Sequence, residues 1–470
     1  MYNLLIYHNI FKKFYEFFGY NTEFNFDRYD LGVMMNAVLL AVIVMVGLSL
    51  VRVHVVLSLV VGALVGGLMA GMSVADTLTS FQDGIKNGAQ IALSYAMLGA
   101  FAMAIAHSGL PQILADKLIA RLQHADGTGG LKFLLFFILI IMAIMSQNIV
   151  PIHIAFIPLI VPPLLSVMNR LHLDRRAITC ILTFGLVNTY MFIPYGFGDI
   201  FLNQIILKNI NEAGMITNNI SMMQTMMIPA LGMLIGLLIA IFVTYRKPRY
   251  YQEKAVAVGQ ASIQVGMLNI VVAMAAIVAA FVAQLMTDSL LIGSLVGFAI
   301  FMATGIVKWR DANEVFNDGI KMMAMIGFIM ICAQGFAEVM KATGQINALV
   351  NGAVGLFGDN KMLAAVSMLL VGLVVTLGIG SSFSTVPIIA TIYVPLCMAM
   401  GFSVPATVAL IATAGVLGDA GSPASDSTLG PTMGLNADGQ HDHIHDSVIP
   451  TFIHYNIPLI VFGWIAAMVL

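Results

Sequence analysis

The chain has 470 residues, of which 60% are hydrophobic and only 9% charged, and its formal net charge is −2. Soluble domains carry roughly a quarter charged residues, so this composition cannot dress a water-facing surface. It also offers no basic stripe for nucleic acid.

The first 33 residues are crowded with Phe, Tyr and Asn and carry no cleavable-signal pattern. Met34-Met35 stands directly before the first good span, so the natural start is expected at one of these two; the alternative is an amphipathic arm on the membrane surface. Apolar runs then predict crossings near 36–51, 54–72, 89–107, 176–206 and 224–244. A second set follows near 266–284, 289–307, 322–340, 404–430 and 451–470. Cys180, Cys332 and Cys397 lie far apart in apolar segments, as packing residues do.

The two sets match in sequence. Phe81-Gln-Asp-Gly-Ile-Lys86 returns as Phe316-Asn-Asp-Gly-Ile-Lys321, five of six identical at an offset of 235. Val61-Gly62 pairs with Val296-Gly297 and Ser108-Gly109 with Thr343-Gly344 at the same offset, and Val150-Pro151-Ile152 with Val386-Pro387-Ile388 at 236. The expected division is an extension over 1–33, one repeat over 34–244, a linker over 245–265 and a second repeat over 266–470. The repeated Asp-Gly-Ile-Lys is expected to begin the third helix of each half.

Between the third and fourth crossing of each half lies an interrupted apolar segment, 131–168 and 361–402. Leu131–Met145, at about 22 Å of helix, is too short to cross upright and runs into Ser146-Gln147-Asn148. Met362–Leu377 runs into Gly378-Ile-Gly-Ser381-Ser382-Phe-Ser384-Thr385. Polar turns at membrane depth persist only where protein or a water-filled cavity surrounds them, so each segment reads as a re-entrant hairpin. Ordinary helices joined by a polar loop are the alternative. With hairpins, each half has five crossings, and the second half is inverted. The expected fold class is therefore all-α and polytopic, with two inverted five-crossing repeats, each holding a re-entrant hairpin and an unwound helix. Placing Tyr245–Lys254 in the cytoplasm puts fourteen Lys and Arg inside, against Lys86, Lys208, Lys341 and Lys361 outside.

Each hairpin is followed by a broken helix. The first carries Asn188, Pro194, Gly196, Gly198 and Asp199; the second carries Gly418, Asp419, Ser422, Pro423, Ser425 and Asp426. Proline removes a helical donor and glycine unwinds easily. Carboxylates within a span cost several kcal/mol, so the second break is the most specific chemical signal in the chain. A polar extramembrane loop is its bland alternative.

The strings SQNIVPIHIAFIPLIVPPLL, GSSFSTVPIIATIYVPL and GDAGSPASDSTLGPT resemble the NhaC-type branch of the ion transporter superfamily. Within it the chain is similar to the YuiF-like proteins, described as histidine or amino-acid permeases or as Na⁺/H⁺ antiporter-family members. The resemblance covers residues 34–470. It implies a scaffold domain with a homodimer interface, a transport domain moving as an elevator, and no cofactor beyond Na⁺ or H⁺ as coupling ion. It also implies a first cation site at Ser146, Asn148 and the Pro194–Gly198 break. A second would use Ser381, Ser382, Ser384, Thr385 and the Gly418–Asp426 break. The first tip, Ser-Gln-Asn, departs from the Ser-Asn-Thr of dicarboxylate carriers.

The candidate solute- and ion-binding residues are Ser146, Gln147, Asn148, Asn188, Pro194, Gly196, Gly198, Asp199, Ser381, Ser382, Ser384, Thr385, Asp419, Ser422, Ser425 and Asp426. Na⁺ is expected at Ser146, Asn148, Ser384, Thr385 and Asp419. Three central acids suit a cation or an ammonium group better than a dianion, and the Ser-rich tips suit a carboxylate. The expected function is an ion-coupled carrier of a small amino-acid-like solute across the inner membrane, with Na⁺/H⁺ exchange without an organic solute as alternative. His441-Asp442-His443-Ile-His445-Asp446 has metal-capable side chains and reads as a solvated cytoplasmic loop; an intramembrane metalloenzyme using it with the broken-helix aspartates is the rival from another class, but no HExxH or GxSxG lies within a span and the internal repeat stays unexplained.

Overall fold

The computed structural model describes residues 36–51, 53–110, 113, 128–148, 153–218, 220–254, 267–287, 289–349, 360–379 and 382–470. The expectation about Met34 or Met35, and Ser381 of the second tip, lie outside them, as do the side chains of Asn148, His153 and Ser384. The first half runs α1 (Ala37–Leu50), α2 (Val55–Met69), α3 (Val74–His107), α4 (Thr128–Asn148), α5 (His153–Arg170), α6 (Arg175–Phe192), α7 (Phe197–Glu212) and α8 (Met222–Thr244). The second runs α9 (Met267–Thr287), α10 (Leu290–Ala303), α11 (Ala312–Ala342), α12 (Lys361–Ile379), α13 (Ser382–Ala399), α14 (Val404–Val416), α15 (Asp426–Leu435) and α16 (His443–Val469). Among the described residues there is no strand. Among the described residues eight stretches are long and apolar enough to cross a membrane, one of them α14 and α15 taken together, and nine if the bent α6–α7 pair is one span.

The third helix of each half is longer than its hydropathy predicts. α3 begins at Val74, capped by Ser73 Oγ on the Asp76 amide, and α11 begins at Ala312. Asp-Gly-Ile-Lys therefore lies inside each helix and not at its start. There the spacing makes the same one-turn ion pair twice, Asp83–Lys86 at 2.5 Å and Asp318–Lys321 at 2.9 Å. Both helices end on a glycine in the left-handed region, Gly109 at φ +76° and Gly344 at φ +65°.

α3 and α11 pack antiparallel, and glycine sets how closely. A Cβ on Gly84 would lie 2.3 Å from the Gln334 carbonyl oxygen, and one on Gly99 the same distance from that of Gly319. Gly319 is Gly84 plus the repeat offset, and Gln334 is Gly99 plus that offset. A second pair obeys the same exchange: Gly62 meets Phe336, and Gly297 meets Phe101. Under the one sequence offset these contacts trade places.

The hairpin arms also correct the reading of length. α4 has 21 residues, about 31 Å, and α12 has 19, so neither is too short to cross. The apolar run was only the middle of α4; Ser146 and Gln147 continue it as helix. The return arms α5 and α13 remain helical through Pro158, Pro162 and Pro163, and through Pro387 and Pro395. Tight lateral packing holds them: Gly434 of α15 against Ile157 and Val161, and Gly415 of α14 against Val386.

The linker after α8 is strapped to one face. Arg249 Nη1 lies 2.7 Å from Asp446 and 3.7 Å from Asp174, Gln252 and Gln440 exchange hydrogen bonds, and the Arg175 guanidinium stacks on Tyr251. Arg175 is fully buried and bidentate to Asp438, at 2.6 and 2.5 Å. The His441–Asp446 stretch is thus part of a packed junction. The solvated-loop expectation therefore fails for His441, Ile444 and Asp446, which the linker and the start of α6 cover, and holds for exposed Asp442 and half-exposed His445.

Gly84→Val is expected to destabilise the purified protein by about 1–3 kcal/mol through overpacking against α11. Gly47, with nothing within 4 Å of its Cβ position, is the control. Thermal melting in detergent checks this; a Gly84→Val protein as stable as Gly47→Ala contradicts the glycine-set packing.

Candidate functional site

The two broken helices lie side by side and run antiparallel. Thr183 Oγ1 on α6 donates to the Ser427 carbonyl at 2.9 Å, and seven residues on, the Tyr190 hydroxyl donates to Asp419 Oδ2. In the first break the chain leaves α6 at Phe192, turns through Ile193–Gly196 and resumes as α7 at a bend of 56°. Gly196 has φ +60° and ψ −128°, a conformation closed to side chains, and a Cβ on Gly198 would lie 2.0 Å from the Ile193 carbonyl oxygen.

In the second break α14 ends at Val416, Gly418 takes φ +92°, and Asp419–Gly421 make one 3₁₀ turn. Ser422–Ser425 run on to α15, where the Ser425 hydroxyl accepts from the Ser427 amide as N-cap. Asn456 of α16 accepts the Gly418 amide at 3.1 Å, and the Thr428 hydroxyl meets the carbonyls of Ser422 and Ser425 at 2.7 and 2.9 Å. Asp419 is only 7% exposed, within a segment that is otherwise a span.

Its carboxylate is held by neutral hydroxyls. Ser425 Oγ donates to Oδ1 at 2.6 Å and Tyr190 to Oδ2; the Tyr190 oxygen lies 3.2 Å from Ser382 Oγ at the start of α13. Asp426 lies close enough for its charge to act on Asp419, and both act on the buried hydroxyl of Tyr95 from α3. The Tyr190 ring is fixed by Phe201, 4.9 Å away and nearly perpendicular.

Of the predicted residues, Ser382, Asp419, Ser425 and Asp426 come together here, and Ser422 and Thr385 are buried with them. Asp199 is placed differently. Its carboxylate takes the amides of Asn203 at 2.6 Å and Gln204 at 3.3 Å, on its own helix, so the expected trio of acids is a pair with Asp199 turned aside. At the first tip Ser146 Oγ is 3.0 Å from the Ala143 carbonyl, while Gln147 Oε1 and Asn188 Oδ1 are buried without hydrogen-bond partners. Pro194 and Gly196 shape the bend. Tyr190, Tyr95 and Asn456 were not foreseen; the available signal was a tyrosine four residues before Pro194 in an apolar span. Among the described residues no group of three His, Cys, Asp or Glu is arranged to hold a metal ion.

A sequence model of the Na⁺/H⁺ antiporter family matches residues 181–464, which contain both breaks and the second hairpin, and a model described as Na⁺-H⁺ antiporter family matches residues 36–122. The chain belongs to the Na⁺/H⁺ antiporter family. It is a multi-pass membrane transporter by that membership and by its apolar helices. An uncharacterized membrane protein of Vibrio parahaemolyticus is 56% identical over 93% of this chain and all of its own length. One from Haemophilus influenzae is 50% identical over the same shares. YuiF of Bacillus subtilis, provisionally named an amino acid transporter, is 46% identical, again over 93% of this chain and its whole length. Two solved transporters align at lower similarity. Alcanivorax borkumensis YdaH has a TM-score of 0.40 at 14% identity, covering 83% of this chain and 87% of its own. Neisseria gonorrhoeae MtrF has a TM-score of 0.41 at 18% identity, covering 84% and 85%.

Burial pushes His441, beside this junction, down to about 4 from an ordinary 6.5, with the Asp446 charge opposing. The unfolded chain then binds the proton more readily between these values. Stability from this group is present above about pH 6.5 and is lost as pH falls towards 4. His441→Gln is expected to flatten that part of a melting-temperature profile; an unchanged slope contradicts a buried neutral imidazole.

Tyr190→Phe leaves Asp419 short of one donor and is expected to lower stability by about 1–2 kcal/mol, read as a fall in melting temperature. A melting point equal to that of the parent protein excludes the hydroxyl as a carboxylate partner.

Proposed function

We propose that this transporter couples Na⁺ or H⁺ to the movement of a small amino-acid-like solute, histidine among the candidates, across the bacterial inner membrane. The observation that carries the reading is a buried Asp419 carboxylate bonded by the hydroxyls of Ser425 and Tyr190, with the charge of half-buried Asp426 acting on it, where the starts of α13 and α15 meet. Two carboxylates this close favour a proton or a cation between them, which is what a coupling ion supplies. The start of α13 brings helix N-terminal amides to a carboxylate beside this acid, so one centre suits both ends of a zwitterion. The provisional name of YuiF supports the same solute class.

Na⁺ is placed in this reading at Asp419 with Ser384 and Thr385, and in the first half at Ser146 and Asn148. The orphaned oxygens of Gln147 and Asn188 support a cation in the first half, because buried acceptors without donors favour one. The exchanging glycine contacts of α3 and α11 support inverted halves, since a two-fold relating antiparallel helices runs across them. The charge asymmetry supports a cytoplasmic 245–254 linker, and we extend the reading to a homodimer in which the hairpins and breaks move together.

Na⁺/H⁺ exchange without an organic solute is the second reading, favoured by the family match. Proteoliposomes separate the two: labelled amino acid accumulating on a Na⁺ or H⁺ gradient, against dequenching of a pH dye by Na⁺ alone. Under either, Asp419→Asn and Asp426→Asn are each expected to abolish transport with membrane insertion intact. Normal rates in both variants remove the pair from the mechanism.

A further inference from the structure

α7, which leaves the first break, has two unlike faces. Phe201, Leu202, Ile206 and Ile210 are buried where the helix packs on α13 and α14. The other face begins at Tyr195, 72% exposed, and runs through half-buried Asp199 and Asn203 to exposed Gln204, Lys208 and Glu212. The winding of the helix makes this face. Over Ile200–Leu207 the hydrogen bonds close i to i+5, a turn that recurs at functional sites. In a 3.6-residue turn Gln204 would stand about 140° round from Asp199. Here its side-chain amide lies 3.3 Å from the Asp199 carboxylate, beside that of Asn203 at 2.6 Å. Thirteen residues separate Asp199 from Glu212, about 20 Å of helix at most. The acid therefore lies well inside the span that α6 and α7 form together. At that depth a carboxylate with two amides is costly against hydrocarbon and belongs against water. α15, which follows the other break, is buried from Ser427 to Thr432, and the buried Arg175–Asp438 pair closes its far end.

We propose that this face of α7 lines a water-filled path to the first break, and that Asp199, Asn203 and Gln204 form a station on it for a monovalent positive group. α6 starts at the linker, where the Arg175 amide donates to the Tyr251 hydroxyl, so the path opens on the side opposite the linker. The partners of the Asp199 carboxylate are neutral amides, with no counter-charge between them. Each amide also carries a carbonyl oxygen and can turn it towards an arriving cation, so three side chains offer oxygen. Lys208, the lysine of this face, is already balanced by Glu212 at 3.9 Å. The station is separate from Asp419, and turning Asp199 aside from that centre is what leaves it on the path.

The station rests on the carrier reading only for what it delivers, and the test keeps the two apart. Full-length Tyr195→Cys, Gln204→Cys and Leu238→Cys proteins are labelled in proteoliposomes with membrane-impermeant methanethiosulfonates bearing either a trimethylammonium or a sulfonate group. Leu238, 43% exposed on α8, is the apolar control, and the parent protein gives the background of buried Cys180, Cys332 and Cys397. Tyr195→Cys and Gln204→Cys are expected to react at least about tenfold faster than Leu238→Cys with either reagent. At Tyr195→Cys the cationic reagent is expected to lead by about tenfold, falling below about twofold when Asp199→Asn is added. Rates no faster than at Leu238→Cys mean that lipid or a second subunit covers the face, and overturn the path. No cationic lead, or one that survives Asp199→Asn, overturns the station. Slowing of the cationic reagent by NaCl, against choline chloride at equal ionic strength, names Na⁺ as the occupant; slowing by histidine names an ammonium group; slowing by neither overturns binding there. If the protein moves neither Na⁺ nor amino acid, the carrier reading fails while the labelling rates still decide the path and its station.

Discussion

A carboxylate inside a membrane span has to be solvated by the protein itself, and this constraint organises the centre of the molecule. Asp419 draws its two hydroxyl donors from its own break and from α6, with Ser382 of the second hairpin behind Tyr190. None of these elements supplies enough alone. Gly418 must leave helical geometry to free the Asp419 segment, Asn456 must take up the amide that the break releases, and Ser425 must cap α15 while bonding the carboxylate. An uncompensated charge there costs several kcal/mol, enough to dominate the placement of every helix that touches it.

A second buried aspartate in the same molecule is handled in the opposite way. Asp438 receives both terminal nitrogens of the fully buried Arg175, and burial, which raises its pKa, is outweighed by these bonds, so the carboxyl lies below the ordinary range. That pair is internally neutral and ties α6 to the end of α15; breaking it strands a charge. Asp419, with hydroxyl partners, has no counter-charge among them. Hydroxyls can donate to a carboxylate or turn and accept from a cation, whereas a guanidinium can only donate. The two solutions mark one site as a fixed joint and the other as a place where a partner can come and go.

Class, order of segments and the location of the breaks were legible because they depend on quantities that composition carries. Hydropathy located α1, α2, α8 and α9 nearly to the residue, and the Gly and Pro clusters located both interruptions. Helix lengths were not, because α3, α4 and α11 extend beyond their apolar runs through polar residues satisfied by helical spacing, Asp83–Lys86 and Asp318–Lys321 among them. Asp199 looked equivalent to Asp419 because both follow glycine in a break. What separates them is where the neighbouring side chains point: Asn203 sits one turn after Asp199 and takes its carboxylate locally. Tyr190 escaped because its partner lies 229 residues away, and no spacing rule reaches that far. The burial of His441 and Asp446 escaped because residues that cover this junction, Arg249 and Gln252, belong to a linker whose path sequence does not reveal.

The repeat and the chemistry do not share one symmetry. Contacts in the frame recur: Gly62, Gly84, Gly99, Gly297 and Gly319 exchange contacts under a single offset, and both third helices end on left-handed glycines. The breaks are not. The first offers a proline bend, an orphaned Asn188 oxygen and a tyrosine hydroxyl; the second offers paired carboxylates and a serine cap. Had Asp199 joined Asp419 and Asp426, and not bonded Asn203 and Gln204 on its own helix, three like charges would crowd one centre, each raising the cost of the others. Placing the charge in one half and its hydroxyl partner in the other keeps the number of buried carboxylates at what a single cation or proton can balance. It also makes the solvation of Asp419 depend on contact between the halves. Any movement that separates α6 from the second break removes Tyr190 from the carboxylate, and at that moment a cation or water has to take its place.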